Sequence, residues 1–411
     1  MLHLSGLANA PLQVNAGVTT YFLPGQTYGV NNSATESNNQ IAWRTTGSFS
    51  LLYCRLSVNN STGTSSVVFR KNTAAGNQSI AIGPLLSGEF SDSTDIDTNQ
   101  AGDLIAFQVT AGGGGAIGVA LLAFQFVSSV KTVTRYASSL GVSFTGGSVT
   151  RYTPTAGNAY TLAETAVQFK VEAPLVWQNL QVNVSANTRI DINTLKSRVN
   201  TANGNQAVSV PATTTGIFED LSDTDILAAG ALIDYQLATG TDNAHSITWQ
   251  SASSELSSSA QQGCFIAGTA ASNTIGPSVT HYLCACGISG DTATEANAQV
   301  RPNFAAMLAH LELYIVANGI TAASTFAFRK NTGYGNQSIS VGSSASGYFE
   351  DALDQDSFNA GDEIDYSLTA GASGSSIQYS SFGSLATATF FVAQFIPDCP
   401  TIIIRYQDYI Y

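Results

Sequence analysis

The chain has 411 residues, a net charge of −13 and a pI near 4.5, with 10% charged and 44% hydrophobic residues. An acidic chain with no basic cluster lacks the cationic face that nucleic acid requires, so no nucleic-acid partner is expected. No run approaches the ~18 apolar residues of a membrane-spanning helix, so no membrane insertion is expected either.

The opening "MLHLSGLANAPLQVNAG" has neither the basic start nor the apolar core of a signal peptide. The expectation is a protein that reaches its destination without the usual secretory signal. The next landmark is "VTTY", ending at Tyr21. It returns as "VTRY" ending at Tyr152 and "VTHY" ending at Tyr282. Glu36, Glu164 and Glu295 then recur in the same order.

A strand follows, with Leu52, Cys54 and Leu56 on alternate positions. Its counterparts are Leu180, Val182, Val184 and Leu311, Leu313, Ile315, while intervening residues such as Tyr53, Gln181 and Glu312 vary freely. Period two with one apolar face is a half-buried strand. The alignment makes Cys54 a core thiol. It also turns "NFAAMLAHLELYIVANG", which alone would pass for a helix, into a strand.

After Asn59, Asn187 and Asn318 comes the most exact repeat. "FRKNTAAGNQSI" (Phe69 to Ile80) and "FRKNTGYGNQSI" (Phe328 to Ile339) flank a worn copy, "SRVNTANGNQAV", Ser197 to Val208. Its anchor asparagines, Asn72, Asn200 and Asn331, are spaced by 128 and 131 residues. The repeat of about 130 residues is far longer than a solenoid unit and has the size of a domain. Three copies are expected, at 1–131, 132–259 and 260–411. Within the phrase the reading is a strand carrying Val67 and Phe69 inward, a turn at Thr73–Asn77, and a strand through Ile80 and Ile82. Arg70, Arg198 and Arg329 are out of phase with the apolar face, and with the anchor asparagines they are read as structural.

"GxF" then leads into an acidic run: Asp92, Asp95, Asp97; Asp220, Asp223, Asp225; Asp351, Asp354, Asp356. Three carboxylates in six residues repel unless solvated, hydrogen-bonded or cation-bound. A calcium site per copy is one reading, since hard cations take carboxylate oxygens in loops, although EF-hand spacing is absent. Asx-turns that cap backbone N–H groups are the second. A rim ion pair with the repeated arginines is the third.

A further strand carries Ile105, Phe107, Val109, matched by Ile233, Tyr235, Leu237 and Ile364, Tyr366, Leu368. Copy two has Ala231 where the others have Asp103 and Asp362. The last strand, "GVALLAFQFV", is echoed by "ATFFVAQFI", and is much more polar in copy two near "SASSEL". Short strands, one buried face each, and Gly, Asn, Asp and Pro at the joints give an all-β chain of three tandem antiparallel jelly-roll-like sandwiches.

Catalytic chemistry has little support. His3, His245, His281 and His310 fall at unmatched positions, and no G-x-S-x-G, H-E-x-x-H or P-loop is present. Cys54, Cys264, Cys284, Cys286 and Cys399 do not recur with the repeat and are read as mostly free thiols. His281, Cys284 and Cys286 group locally, without a standard zinc spacing.

The order "RxN", "GxF", "AGDxI" and an aromatic closing strand such as "LLAFQF" resembles the second half of the tumour-necrosis-factor/complement-head jelly roll. The whole is similar to repeat-built phage virion proteins. That resemblance implies a non-enzymatic structural component on a virion exterior: a head decoration, fibre or other outer protein. It would pack against other virion proteins or copies of itself, with no cofactor beyond the calcium reading. Three copies admit a single-chain pseudo-trimer or a linear string. The alternative function is a receptor- or glycan-binding protein using loops at one end of each sandwich.

Overall fold

The computed structural model describes residues 2–6, 12–25, 32–128, 132–157, 160–258, 262–285, 292–302 and 305–388. In the first module, one antiparallel sheet pairs Leu2–Gly6, Ile117–Val127, Gly47–Asn59 and Gly88–Asn99 in that order. The facing sheet pairs Thr19–Phe22, Asp103–Thr110, Ser65–Lys71 and Ala74–Ile82. Numbered along the chain, the orders are 1-8-3-6 and 2-7-4-5, the jelly-roll arrangement of interlocked Greek keys.

The second module repeats it from Thr132–Thr145 to Ser246–Ser258, and the third from Gln262–Ile275 to Gly374–Ala388. Only the sixth strand of module three is broken, into Gly347–Asp351 and Asp356–Phe358. No described sheet mixes strands of different modules. The stretch that alone would pass for a helix lies in the strand Ala306–Ile320. The last strand of module three carries Ile377 and Tyr379 opposite Asn318 and Ile315. It therefore precedes "ATFFVAQFI", which from Thr389 onward lies outside the described residues.

The alternating residues do face inward. Leu52, Cys54, Leu180, Val182, Leu311 and Leu313 are fully buried, and burial raises the Cys54 thiol pKa. Module one fills its centre with rings: Phe49 lies 4.8 Å from Phe124 and 5.0 Å from Trp43, edge to face. Modules two and three replace the Phe107–Phe124 pair by tyrosine and serine. Tyr235 OH lies 2.6 Å from Ser254 Oγ, and Tyr366 OH lies 2.8 Å from Ser384 Oγ. The polar look of "SASSEL" thus has a partner inside the core, since a buried hydroxyl needs one.

Each residue of the repeated phrase has a mechanical task. The hairpin turn is Asn72–Thr73, beginning one residue before the expected Thr73–Asn77 turn and excluding Gly76 and Asn77, with φ of 51° and 65°. Two consecutive positive φ values give the primed turn that matches strand twist, and Asn tolerates them while a β-branched Thr is strained. Gly76 is not a turn residue. A Cβ there would lie 2.7 Å from Asp97 Oδ1, and at Gly204 and Gly335 equally close to Asp225 and Asp356. Gln78 Oε1 accepts the amide of Leu52, beside a bulge where Leu51 has φ 56°, and Gln206 serves Leu180 in the same way.

Candidate assembly interface

The acidic runs close the open side of each sandwich. Ala74–Ile82 is the edge of its sheet, and an edge strand offers unpaired N–H groups. Asp97 Oδ1 accepts from the Asn77 amide at 2.7 Å and Asp97 Oδ2 from Gln78 at 3.2 Å. Asp92 Oδ2 accepts from the Ser79 amide at 2.9 Å, and its Oδ1 caps Thr94 and Asp95. Asp220 and Asp225 repeat these bonds to Ala207 and Asn205, and Asp351 and Asp356 repeat them to Ser338 and Asn336. Asp95, Asp223 and Asp354 are exposed at the tips. The carboxylates of a run therefore point to amides rather than to one another.

The arginines do not pair with the acidic runs; those carboxylates are taken up by amides of the edge strand. Arg70 instead forks onto Glu36, with Nε to Oε1 at 3.2 Å and Nη2 to Oε2 at 2.9 Å. Arg198 does the same to Glu164 at 2.8 and 3.0 Å, and Arg329 reaches Glu295 at 2.6 Å. Each guanidinium also donates to the carbonyl of the strained turn residue, Thr73, Thr201 or Thr332. Each lies over the ring of the "VTxY" tyrosine, 5.9, 5.6 and 5.4 Å from the centroids of Tyr21, Tyr152 and Tyr282. Beneath, Leu104 donates to Asn72 Oδ1 at 2.8 Å, while Asn72 and Asn331 donate to Asp103 and Asp362. Ala231 removes that last bond from module two.

His281 and Cys284 sit at the strand Thr280–Leu283 and just beyond it, while Cys286 and Cys399 lie outside the described residues. Cys264 is on the strand Gln262–Ile275.

The modules meet head to tail, and the contacts return to the start. The segment after the Glu36 turn in module one lies on module two: Asn183 donates to Ser37 O at 2.8 Å, and the Ala42 amide donates to Gln181 Oε1 at 3.3 Å. Arg44 pairs with Glu219. The equivalent segment of module two lies on module three: Tyr348 OH donates to Gln168 O at 3.1 Å, and Lys170 pairs with Glu350 at 2.7 Å. That of module three lies on module one: Arg55 donates to Ala296 O at 3.2 Å and to Gln299 O, and Arg301 pairs with Glu89 at 3.3 Å.

The stations are equivalent by repeat position. Ser37 matches Ala296, Asn183 matches Arg55, Gln40 matches Gln168 and Gln299, and Glu219 matches Glu350. Three heterologous contacts related in this way close a ring with threefold pseudo-symmetry.

Each joint has its own chemistry. In the first, Glu255 and Arg135 form an ion pair at 3.1 Å with both side chains fully buried. Glu255 also accepts from Asn179 at 2.6 Å and, across the joint, from Thr45 Oγ1 at 3.1 Å. In the second, Lys170, Glu172, His310, Glu312 and Glu350 gather. In the third, Leu51, Tyr53, Leu121, Val300 and Pro302 line a cavity of about 340 Å³. The bulge residues Leu51, Asn179 and His310, at φ 56°, 58° and 52°, face these joints. Sequence reasoning singled out only His310, as one of the unmatched histidines, because the signal these three share is conformational.

No family model and no curated protein matches the chain. Among solved structures it is similar to a protein in the atomic structure of Sulfolobus Turreted Icosahedral Virus, at 13% identity over 92% of this chain and 91% of that one, with a TM-score of 0.20. A second similar structure is described as the triple jelly-roll fold and turret assembly of an archaeal virus, at 13% identity, 94% and 90% coverage and a TM-score of 0.19. A third is infectious bursal disease virus VP2 in a subviral particle, at 11% identity, 95% and 80% coverage and a TM-score of 0.20. At such TM-scores these likenesses carry no argument about function.

Proposed function

We propose that this chain is a non-enzymatic structural protein of a virus particle, built as a single-chain pseudo-trimer and placed on the exterior as a decoration, fibre or other outer component. The observation that carries the reading is the closed ring. A homotrimer must use one interface three times, whereas a fused triplet keeps threefold geometry and lets each joint and each outer face diverge. Such a unit suits a threefold or near-threefold position in a lattice, where its partners are other virion proteins or further copies of itself. Its low charge density and rigid β modules suit broad packing faces.

The test is the stoichiometry of the protein, by quantitative mass spectrometry, in particles purified from its native source, followed by a particle reconstruction. The reading expects a fixed copy number per particle and three jelly rolls around one local axis. Recovery only as free protein would overturn it.

A receptor- or glycan-binding role is favoured by one observation, the loop end of module two. Arg189 is fully buried there, pairs with Asp191 at 3.1 Å and donates to the carbonyls of Gly146, His245 and Gly240. This fixes a tip that exposes Ile190 and Ile192. Loss of particle attachment to host cells on Ile190→Ser with Ile192→Ser would establish that reading.

A further inference from the structure

The joint between modules two and three reverses the charge pattern of the first joint. Arg44 faces Glu219 across the first joint. The residues at the same repeat positions across the second are Glu172 and Glu350, so a carboxylate replaces the guanidinium. Lys170 supplies one positive charge, 2.7 Å from Glu172 Oε1, 2.7 Å from Glu350 Oε2 and 3.2 Å from Glu312 Oε1. The Glu312 carboxyl, third about this ammonium, is buried. Three carboxylates thus gather about one ammonium, an acidic joint that a bound cation would stabilise.

The remaining oxygens point to one place. Glu350 Oε1 is 2.8 Å from His310 Nδ1, and Glu172 Oε2 is 3.6 Å from the same nitrogen. One donor atom from each of the three residues lies within 4.8 Å of the others, and among the described residues no other set of three His, Cys, Asp or Glu donors converges in this way. Lys170 holds the opposite oxygens of both carboxylates, so an ion can enter between these donors without displacing it. His310 is brought there by the backbone: it occupies the positive-φ bulge where module one has Leu51 and module two has Asn179. Ligands about 2.0–2.2 Å from a tetrahedral ion stand roughly 3.3–3.6 Å apart, within small side-chain rotations of these distances.

We propose that Glu172, His310 and Glu350 bind a divalent first-row transition ion of the Zn²⁺ class, which ties module two to module three. One imidazole and two carboxylates form a donor set for such ions, whereas Ca²⁺ and Mg²⁺ select oxygen ligands alone. A fourth position stays open for water. The site is distinct from the acidic runs: Glu350 shares the strand Gly347–Asp351 with Asp351, but the Asp351 carboxylate is taken up by the amides of Ser338, Leu353 and Asp354.

The test is calorimetric titration of the chelator-stripped full chain with ZnCl₂, with thermal unfolding in parallel. One saturable equivalent per chain and a raised melting temperature are expected. Two variants are chosen to keep the joint folded. His310→Asn installs the residue that module two already carries at this backbone conformation, and Glu172→Arg rebuilds the ion pair of the first joint. Each should keep the circular dichroism of the parent and lose both the Zn²⁺ equivalent and the thermal response. Glu350→Gln, which changes no shape, should do the same if either of the others fails to fold. The proposal is overturned if the parent binds no Zn²⁺ saturably, if Ca²⁺ fills the same equivalent, or if a folded variant binds Zn²⁺ as the parent does.

Discussion

Asp234 and Asp365 should make the protein lose stability as pH rises through neutrality, and replacing them by alanine should remove that loss. Both are shut off from solvent, and the one ion-pair contact, Arg329 Nε to Asp365 Oδ1 at 3.9 Å, lies beyond hydrogen-bond reach. Module one has Ala106 at this position, paired with Arg70 as Asp234 is with Arg198 and Asp365 with Arg329. Burial, then the charge of Glu164, pushes the Asp234 carboxyl up to about 9, with Arg198 opposing. Burial, then Glu295, pushes Asp365 up to about 8, with Arg329 opposing.

An unfolded aspartate titrates near 3.9, so at pH 7 folding must take up a proton at each site. The stability these groups allow is fully present below about pH 4. It is lost as pH rises, at about 1.4 kcal/mol per unit for each group, until pH 8 for Asp365 and pH 9 for Asp234. At pH 7 each therefore costs about 4 kcal/mol relative to pH 4, as long as its folded pKa stays above 7. Asp234→Ala and Asp365→Ala should each flatten the dependence of the unfolding midpoint on pH between 5 and 8. The double variant should also lose intensity from the carboxylic-acid stretch in the infrared spectrum at pH 7. Wild-type and variant curves that run parallel, or a spectrum unchanged by the double substitution, would refute the assignment of protonated carboxyls.

Glu255→Ala should destabilise the chain by about 3–5 kcal/mol, because it strands the Arg135 guanidinium in a fully buried joint; denaturant unfolding showing a loss under about 1 kcal/mol would contradict that. Gly76→Ala should cost about 1–3 kcal/mol by overpacking, since the new methyl would meet both Asp97 oxygens and the Phe69 ring within 2.8 Å. The same substitution at Gly113, where nothing lies within 4 Å of an added Cβ and the backbone is not in the left-handed region, serves as a control for crowding. Calcium or a chelator should leave the melting temperature of the His310→Asn variant unchanged, because Asp92 and Asp97 already accept backbone amides; a saturable Ca²⁺ heat that Asp95→Asn abolishes would instead establish the acidic run as a calcium site.

The architecture was legible because it rests on what the copies share. Leu52, Leu180 and Leu311 alternate with their neighbours under the same burial, so aligned strands speak louder than the helical appearance of one copy. The Arg–Glu forks had a usable signal that the reading of charge patterns missed: Glu36 to Arg70, Glu164 to Arg198 and Glu295 to Arg329 are each separated by 34 residues. A constant separation of opposite charges across three diverged copies marks a contact. Nearby acids in sequence were the weaker guide, because the edge strand had already claimed them. The turn was misplaced for a related reason: Gly76 and Asn77 look like turn formers, yet Gly76 is there to admit a carboxylate.

The joints were not legible, and the cause is physical. They are built from the positions where the copies differ, and an alignment of copies discards difference. Positions Gln181, Glu312 and Tyr53 vary freely along the strand because each faces another module rather than its own core. A heterologous interface used three times by identical chains can hold only one chemistry. Fusion lifts that constraint, and the three joints here carry a buried ion pair, a carboxylate–imidazole cluster and an apolar cavity, the last two at equivalent stations, His310, Glu312 and Glu350 against Leu51, Tyr53 and Ser91. Unequal joints make unequal strength: beside its Arg55 and Arg301 contacts, the third keeps a half-open pocket of about 340 Å³, where packing atoms are absent. The ring should therefore open first between modules three and one, the only joint not bridged by a direct chain connection.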